Sequence, residues 1–220
     1  MKMKYLKYLK NLCHSILQSN KMTQEQNIKK PYPPGDFAIW IIIYVELITF
    51  ALLFIGYAFS RRADVELFNA SQLALNQTFG FVNTVILISS SFFIAKAVER
   101  MKKSSQSTHK ESSIIAAKWV LLSIVGAGMF LVIKLFEFTH MFGMGITLST
   151  NTFFMFYLML TMFHFMHVLL GVIILSNIYQ KTKAYGYTNE DHRGMETGAS
   201  YWHLVDLLWI VLFPLVYIIR

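Results

Sequence analysis

Cysteine occurs once in the 220 residues, as Cys13. That excludes an internal disulfide and any thiolate cluster able to hold zinc or an iron–sulfur centre. Charge is scarce as well: Lys, Arg, Asp and Glu make up 15% of the chain against 55% hydrophobic residues, too little to cover a soluble domain with polar surface. Acidic groups are the rarer sign, 12 against 20 basic. No Glu-x-x-His lies inside an apolar run as the runs are bounded below, and no Glu stands between two histidines four apart, so the usual di-iron and zinc-peptidase signatures are absent. Internal repeats are lacking too, and the connections between apolar runs are too short for a second domain.

What is present is a set of long apolar runs. Phe37–Phe59, Phe79–Val98, Trp119–Phe138, Thr152–Asn177 and Ser200–Ile219 are each near the ~20 residues that cross ~30 Å of hydrocarbon as a helix. The expectation is an all-α, polytopic membrane protein: a five-transmembrane-helix bundle over residues 35–220, behind a basic leader at 1–34. Lys and Arg are retained in cytoplasmic segments. They concentrate before Phe37 (Lys2, Lys4, Lys7, Lys10, Lys21, Lys29, Lys30), after the second run (Arg100, Lys102, Lys103, Lys110) and between the fourth and fifth (Lys181, Lys183, Arg193). The other side has Arg61, Arg62 and Arg220. This places the N-terminus on the cytoplasmic side and the C-terminus on the opposite, periplasmic side. The net charge of +8 then reflects topology rather than nucleic-acid binding.

The leader has no signal-peptide core, because its basic stretch runs into polar Gln18–Lys30 and then Pro31-Tyr32-Pro33-Pro34-Gly35. Leu6, Leu9, Leu12, Cys13, Ile16 and Leu17 recur at helical spacing between lysines. That pattern suits a helix lying on an anionic membrane surface, and a plain basic tail fits equally well.

An ionisable side chain inside a membrane helix costs ~2.5–3.5 kcal/mol on insertion scales, so each one has to be paired or used. The runs contain Glu46, Asn83, Lys134, Glu137, His164, His167, His203 and Asp206. Counting ~1.5 Å per residue from the cytoplasmic ends puts Glu46, His167 and Asp206 in one layer, with His203 beside them. Asn83, His164 and the Lys134/Glu137 pair form a second layer further out. Lys134 and Glu137 share a helix face and can neutralise each other. Glu46 has no basic neighbour on its own helix, so it must find a partner on another, keep its proton, or meet water or a lipid head group. His164 and His167 have the ingredients to join His203 and a carboxylate around a metal, but the spacing alone is weak evidence and interhelical hydrogen bonds explain the same residues without one. Gly126, Gly128, Gly171 and Ser89-Ser90-Ser91 would let helices approach closely. Pro214 should kink the last helix near its outer end.

These residues resemble a known family, subunit III of the haem-copper respiratory oxidases, in a short five-helix form. The likeness is carried by Glu46, by Val82-Asn83-Thr84 and by Lys134-Leu135-Phe136-Glu137-Phe138. Phe163-His164-Phe165-Met166-His167-Val168-Leu169-Leu170-Gly171, Glu196 and Tyr201-Trp202-His203-Leu204-Val205-Asp206-Leu207-Leu208-Trp209 complete it. The ending Leu212-Phe213-Pro214-Leu215-Val216-Tyr217 is similar to the subunit III-like proteins associated with bacterial nitric oxide reductases. Long members of the family have two further N-terminal helices that form one side of a lipid-holding cleft, and no counterpart of them stands here.

The resemblance implies an accessory subunit with no catalytic residue, metal or redox cofactor of its own. Haem, with copper or non-haem iron, is expected in a catalytic subunit I-type partner, and bound phospholipid is compatible with the family. Supporting assembly, sustained turnover and proton entry would be its roles, with Glu46 near the partner or lipid. Two other functions would use the same side chains: a membrane metalloenzyme built on His164, His167, His203, Glu46 and Asp206, or an independent proton or solute carrier using Glu46, Glu137 and Asp206.

Overall fold

The computed structural model describes residues 36–188 and 191–219, and all their regular structure is helical. The surface helix considered for the leader lies outside the described residues. Helix α1 spans Phe37–Ala63, α2 Val65–Gln72, α3 Gln77–Lys102, α4 His109–Gly143, α5 Thr152–Lys183 and α6 Arg193–Phe213. All but α2 are long and apolar enough to cross a membrane. The five-span, all-helical expectation therefore stands, while the short α2 is an element that no apolar run announces.

The helices outrun the apolar stretches. α4 begins at His109, ten residues ahead of Trp119, and continues past Phe138 to Gly143. Hydropathy marks where a helix meets lipid, whereas hydrogen bonding continues through polar residues at both ends. Three starts are fixed by their caps: Asp64 accepts from the Leu67 amide at 3.1 Å, Asn76 from the Thr78 amide at 3.0 Å, and Asn151 from the Phe154 amide at 2.8 Å, each worth ~1 kcal/mol. Asn151 also donates to the Ser71 hydroxyl at 3.0 Å, tying the start of α5 to α2.

α6 is the central helix and α1 a peripheral one. In their most apolar stretches 61% of α6 is buried within the protein but only 17% of α1. Small residues set the close seams. At α3–α4, Ser90 Oγ donates to the Ser123 carbonyl at 2.8 Å and Ser123 Oγ to the Ser90 carbonyl at 2.9 Å, beside Gly126, whose added Cβ would lie 3.1 Å from Ser90 Cβ. At α5–α6, a Cβ on Gly171 would meet the Trp202 ring at 2.7 Å. Gly128 differs from the expectation: nothing lies within 4 Å of its Cβ position, because it points away from the seam that Gly126 serves.

Pro214 does more than bend the last helix. The chain continues from α6 as a π-helical turn, Pro214–Ile218; proline lacks an N–H and its ring crowds the carbonyl four residues back, and a wider turn relieves both. The carbonyls left at this end are met by side chains from elsewhere. Gln72 Nε2 donates to Val216 and Ile219 at 2.9 and 3.0 Å, Gln77 Nε2 to Tyr217 at 2.8 Å and Arg61 to Ile219 at 2.6 Å. Tyr217 is thereby held inside the bundle.

Candidate functional site

The polar residues of the spans fall into separate clusters. On the α1–α5 boundary, Glu46 Oε2 stands 3.0 Å from His167 Nε2. The other ring nitrogen, Nδ1, is 2.8 Å from the Phe163 carbonyl. A carbonyl can only accept, so Nδ1 carries a hydrogen and one further proton is shared between Nε2 and the carboxyl group. Phe50 and Phe163 pack on the His167 ring at centroid distances of 5.2 Å to each other and 5.6 and 4.7 Å to the imidazole, which fixes its orientation. Glu46 thus has the partner that its own helix lacks. Its side chain remains 24% exposed, so the pair is reachable from outside the bundle. Beside it lies an apolar groove of about 800 Å³ lined by Leu53 of α1 and by Met155, Met159, Met162, Phe163 and Met166 of α5.

Asp206 does not join this pair. It lies across α6, where its carboxyl is beside the Ser91 hydroxyl and the His203 ring. His203 Nδ1 is 2.7 Å from Ser91 Oγ. Asp206 is 8% exposed, and its Oδ1 has no partner among the described residues. The expected single layer of Glu46, His167, His203 and Asp206 is therefore two clusters on different faces of the bundle. Depth along each helix was readable from residue counts; azimuth was not.

The outer cluster is larger than the Lys134/Glu137 pair seen in the sequence. Lys134 Nζ donates to Glu137 Oε2 at 2.9 Å and to the Tyr217 hydroxyl at 2.7 Å. Tyr157 and Tyr217 donate to Glu137 Oε1 at 2.8 and 2.5 Å. Aromatic faces complete the enclosure, with the ammonium 4.9 Å from the Trp209 ring centroid. Lys134 is fully buried, so both charges are compensated by hydrogen bonds rather than by water. Glu137 touches one open space, a recess of about 750 Å³ that it lines with Asn76, Gln77 and His140. Because α4 runs to Gly143, Glu137-Phe138-Thr139-His140 is a Glu-x-x-His within a helix, a correction to the span-based count. It is a single copy and its carboxylate is bound to Lys134, where di-iron bundles need two copies and two more glutamates.

His164 and Asn83 share a level between the clusters. The register that sets Ser90 opposite Ser123 brings Asn83 opposite Phe130, whose ring touches both His164 and Trp209 at 5.7 and 4.9 Å. The amide of Asn83 and both nitrogens of His164 are fully buried and lack a partner among the described residues. Trp209 packs at a tilt against His164, with ring centroids 5.1 Å apart, and donates to Thr84 Oγ1 at 3.0 Å. Among the described residues no three of His, Cys, Asp and Glu come together in a way that could hold a metal ion.

Residues 35–220 match the family model for cytochrome c oxidase subunit III. The chain belongs to this family. Among its relatives is cytochrome c oxidase subunit 3 of Synechocystis sp., 28% identical over 224 residues that cover 96% of this chain and 91% of the relative. Cytochrome bo(3) ubiquinol oxidase subunit 3 of Buchnera aphidicola is 27% identical, covering 93% of this chain and 95% of the relative. Heme-copper oxidase subunit I+III of Aeropyrum pernix is 27% identical over 86% of this chain, which spans 23% of that longer protein. The family match spans the whole helical bundle, from the start of α1 to the last turn.

Proposed function

We propose that this subunit III-family protein is an accessory, cofactor-free subunit that packs against the catalytic subunit I of a haem-copper respiratory complex in a bacterial inner membrane, with its N-terminus cytoplasmic and its C-terminus periplasmic. The observation that carries the reading is the match across the entire bundle. A relative whose name joins subunits I and III supports the choice of partner. In this role the chain supports assembly, sustained turnover and proton entry. Glu46 and His167 are the residues placed to do so, as a proton-sharing pair still accessible from outside the bundle. The Lys134–Glu137–Tyr157–Tyr217 cluster is fully compensated and holds α4, α5 and the last turn together. Haem, with copper or non-haem iron, resides in the partner, and the Met-lined groove beside Glu46 accepts lipid acyl chains.

The finer reading, service to a nitric oxide reductase, is supported by the Leu212-Phe213-Pro214-Leu215-Val216-Tyr217 ending. Both readings are tested by one purification. The tagged chain, extracted from its native membrane in mild detergent, should bring down a larger subunit with a reduced-minus-oxidised haem spectrum. The haem type and the metal accompanying it distinguish oxygen from nitric oxide chemistry. A colourless single chain that retains stoichiometric metal would overturn the accessory role in favour of a metalloenzyme.

A further inference from the structure

A cleft of about 370 Å³ opens between α3 and α6 at the end where α3 finishes. Its mouth is charged. Lys102 Nζ pairs with Glu196 at 2.6 Å, His192 stands 3.4 Å from the same carboxylate, and Glu99 pairs with Lys96 and Lys103 at 2.9 and 2.6 Å. Its walls are small: Ala95 on α3 faces Ala199 and Ser200 on α6, so the two helices leave space between them. The floor is His203, and behind it lie Ser91 and Asp206. Ser91 is eleven residues inside the end of α3, roughly 16 Å of helix. The cleft therefore leads from a charged mouth, past small and mostly apolar walls, to a polar end inside the membrane-spanning part of the bundle.

A histidine at that depth, open to a cleft and next to a buried carboxylate with an unpartnered oxygen, is costly against lipid tails and unremarkable against water. We infer that the cleft between α3 and α6 is a water-filled inlet, and that Asp206 at its end exchanges protons with the aqueous phase through His203 and Ser91. The order of groups fits a relay. A proton from water enters at His203 Nε2. The ring releases its Nδ1 proton to Ser91 Oγ, 2.7 Å away, as the Ser91 hydroxyl proton passes to Asp206. One proton has then moved from the inlet to the carboxylate, and the ring resets when it rotates or exchanges its tautomer. The charged groups around this path are Lys96, Glu99, Lys102 and Lys103 from α3 and Glu196 from α6, with His192 before it. They are paired with one another, so the mouth is polar without a strong net charge. None of this requires the catalytic partner, and it holds whether or not the accessory role does.

The test uses the full chain in its native membrane, with Cys13→Ser removing the only thiol. Single cysteines at Ser200, His203 and, as an outward-facing control, Leu207 are treated with a membrane-impermeant methanethiosulfonate. The inlet predicts that Ser200→Cys and His203→Cys react within about tenfold of Ser105→Cys in the loop, and Leu207→Cys at least about a hundredfold slower. His203→Cys as unreactive as Leu207→Cys would overturn the inlet. The relay is read by infrared spectroscopy across an acid titration, the Asp206 carbonyl band being the one lost in Asp206→Asn. Exchange into deuterium oxide should slow at least about tenfold in His203→Phe. No Asp206 band at any pH, or an exchange rate unchanged by His203→Phe, would overturn the relay.

Discussion

Glu46 and His167 share a single proton across the α1–α5 boundary, because the Phe163 carbonyl already occupies the other ring nitrogen. The proton can sit on either group without changing the net charge of the pair, so the site is neutral overall in both arrangements. That is an economical way to keep an ionisable group in a membrane helix. Glu46→Gln preserves a donor for His167 Nε2 while removing the exchangeable proton. Assembly and yield should be unchanged, whereas the turnover of the partner enzyme, or its rate of inactivation during turnover, should change with a different pH profile. Glu46→Leu leaves the ring nitrogen without its partner, at a cost of ~1–3 kcal/mol. It should lower the thermal stability of the isolated chain, because α1 has few other attachments. Identical pH profiles for wild type and Glu46→Gln would remove the functional case for this residue.

Lys134 is the most demanding group in the protein, a fully buried ammonium. Lys134→Met strands Glu137 among two tyrosines and should destabilise the chain by ~3–5 kcal/mol. The double variant Lys134→Met/Glu137→Leu removes both charges and should recover most of that loss. A double-mutant cycle on thermal unfolding in detergent measures the coupling directly. Additive effects of the two substitutions would mean that the pair is not an energetic unit.

Close helix packing gives a paired prediction. A Cβ at Gly171 meets the Trp202 ring at 2.7 Å, but one at Gly128 meets nothing within 4 Å. Gly171→Ala should therefore cost ~1–3 kcal/mol by overpacking. Gly128→Ala should be neutral or stabilise by up to ~1 kcal/mol, since alanine is the better helix former. Melting temperatures of the two variants against wild type check it, and a larger loss at Gly128 would contradict the packing described.

The sequence revealed depth and failed on direction. Apolar runs located all five crossing helices, and residue counts placed Glu46 and His167 at matching depths, where they do meet. The same counts put Asp206 at a similar depth, yet it faces Ser91 and His203 on the far side of α6, because hydropathy carries no information on which way a helix is rotated in a bundle buried on several sides. Tyr157 and Tyr217 escaped notice for another reason. A tyrosine in an apolar run reads as packing, and only the approach of α5 and the last turn to Glu137 shows its hydroxyl in use. The signal that was available is the pairing rule itself: a buried Lys/Glu pair leaves lone pairs and protons to satisfy, so hydroxyl donors had to be sought nearby. Gln72 and Gln77 were equally silent, since their partners are carbonyls left open at the end of the last helix, more than a hundred residues later.

Those two glutamines support the last prediction. The π-helical turn after Pro214 leaves carbonyls at Val216, Tyr217 and Ile219, and the Gln72 and Gln77 amides donate to all three. Gln72→Leu would leave the Val216 carbonyl unmet in an apolar setting, while Ile219 keeps its Arg61 donor, costing ~1–3 kcal/mol. The effect should be local first: amide hydrogen exchange at Tyr217–Ile219 should accelerate while the middle of α6 stays protected. Because Tyr217 donates to Glu137 at 2.5 Å and accepts from Lys134 at 2.7 Å, loosening this turn should reach the buried pair. Tyr217→Phe, which keeps the ring and removes the hydroxyl, separates the two contributions. If Gln72→Leu works through Tyr217, its destabilisation should shrink in the Tyr217→Phe background. If the losses simply add, the turn and the buried pair are independent and the cap acts on the C-terminus alone.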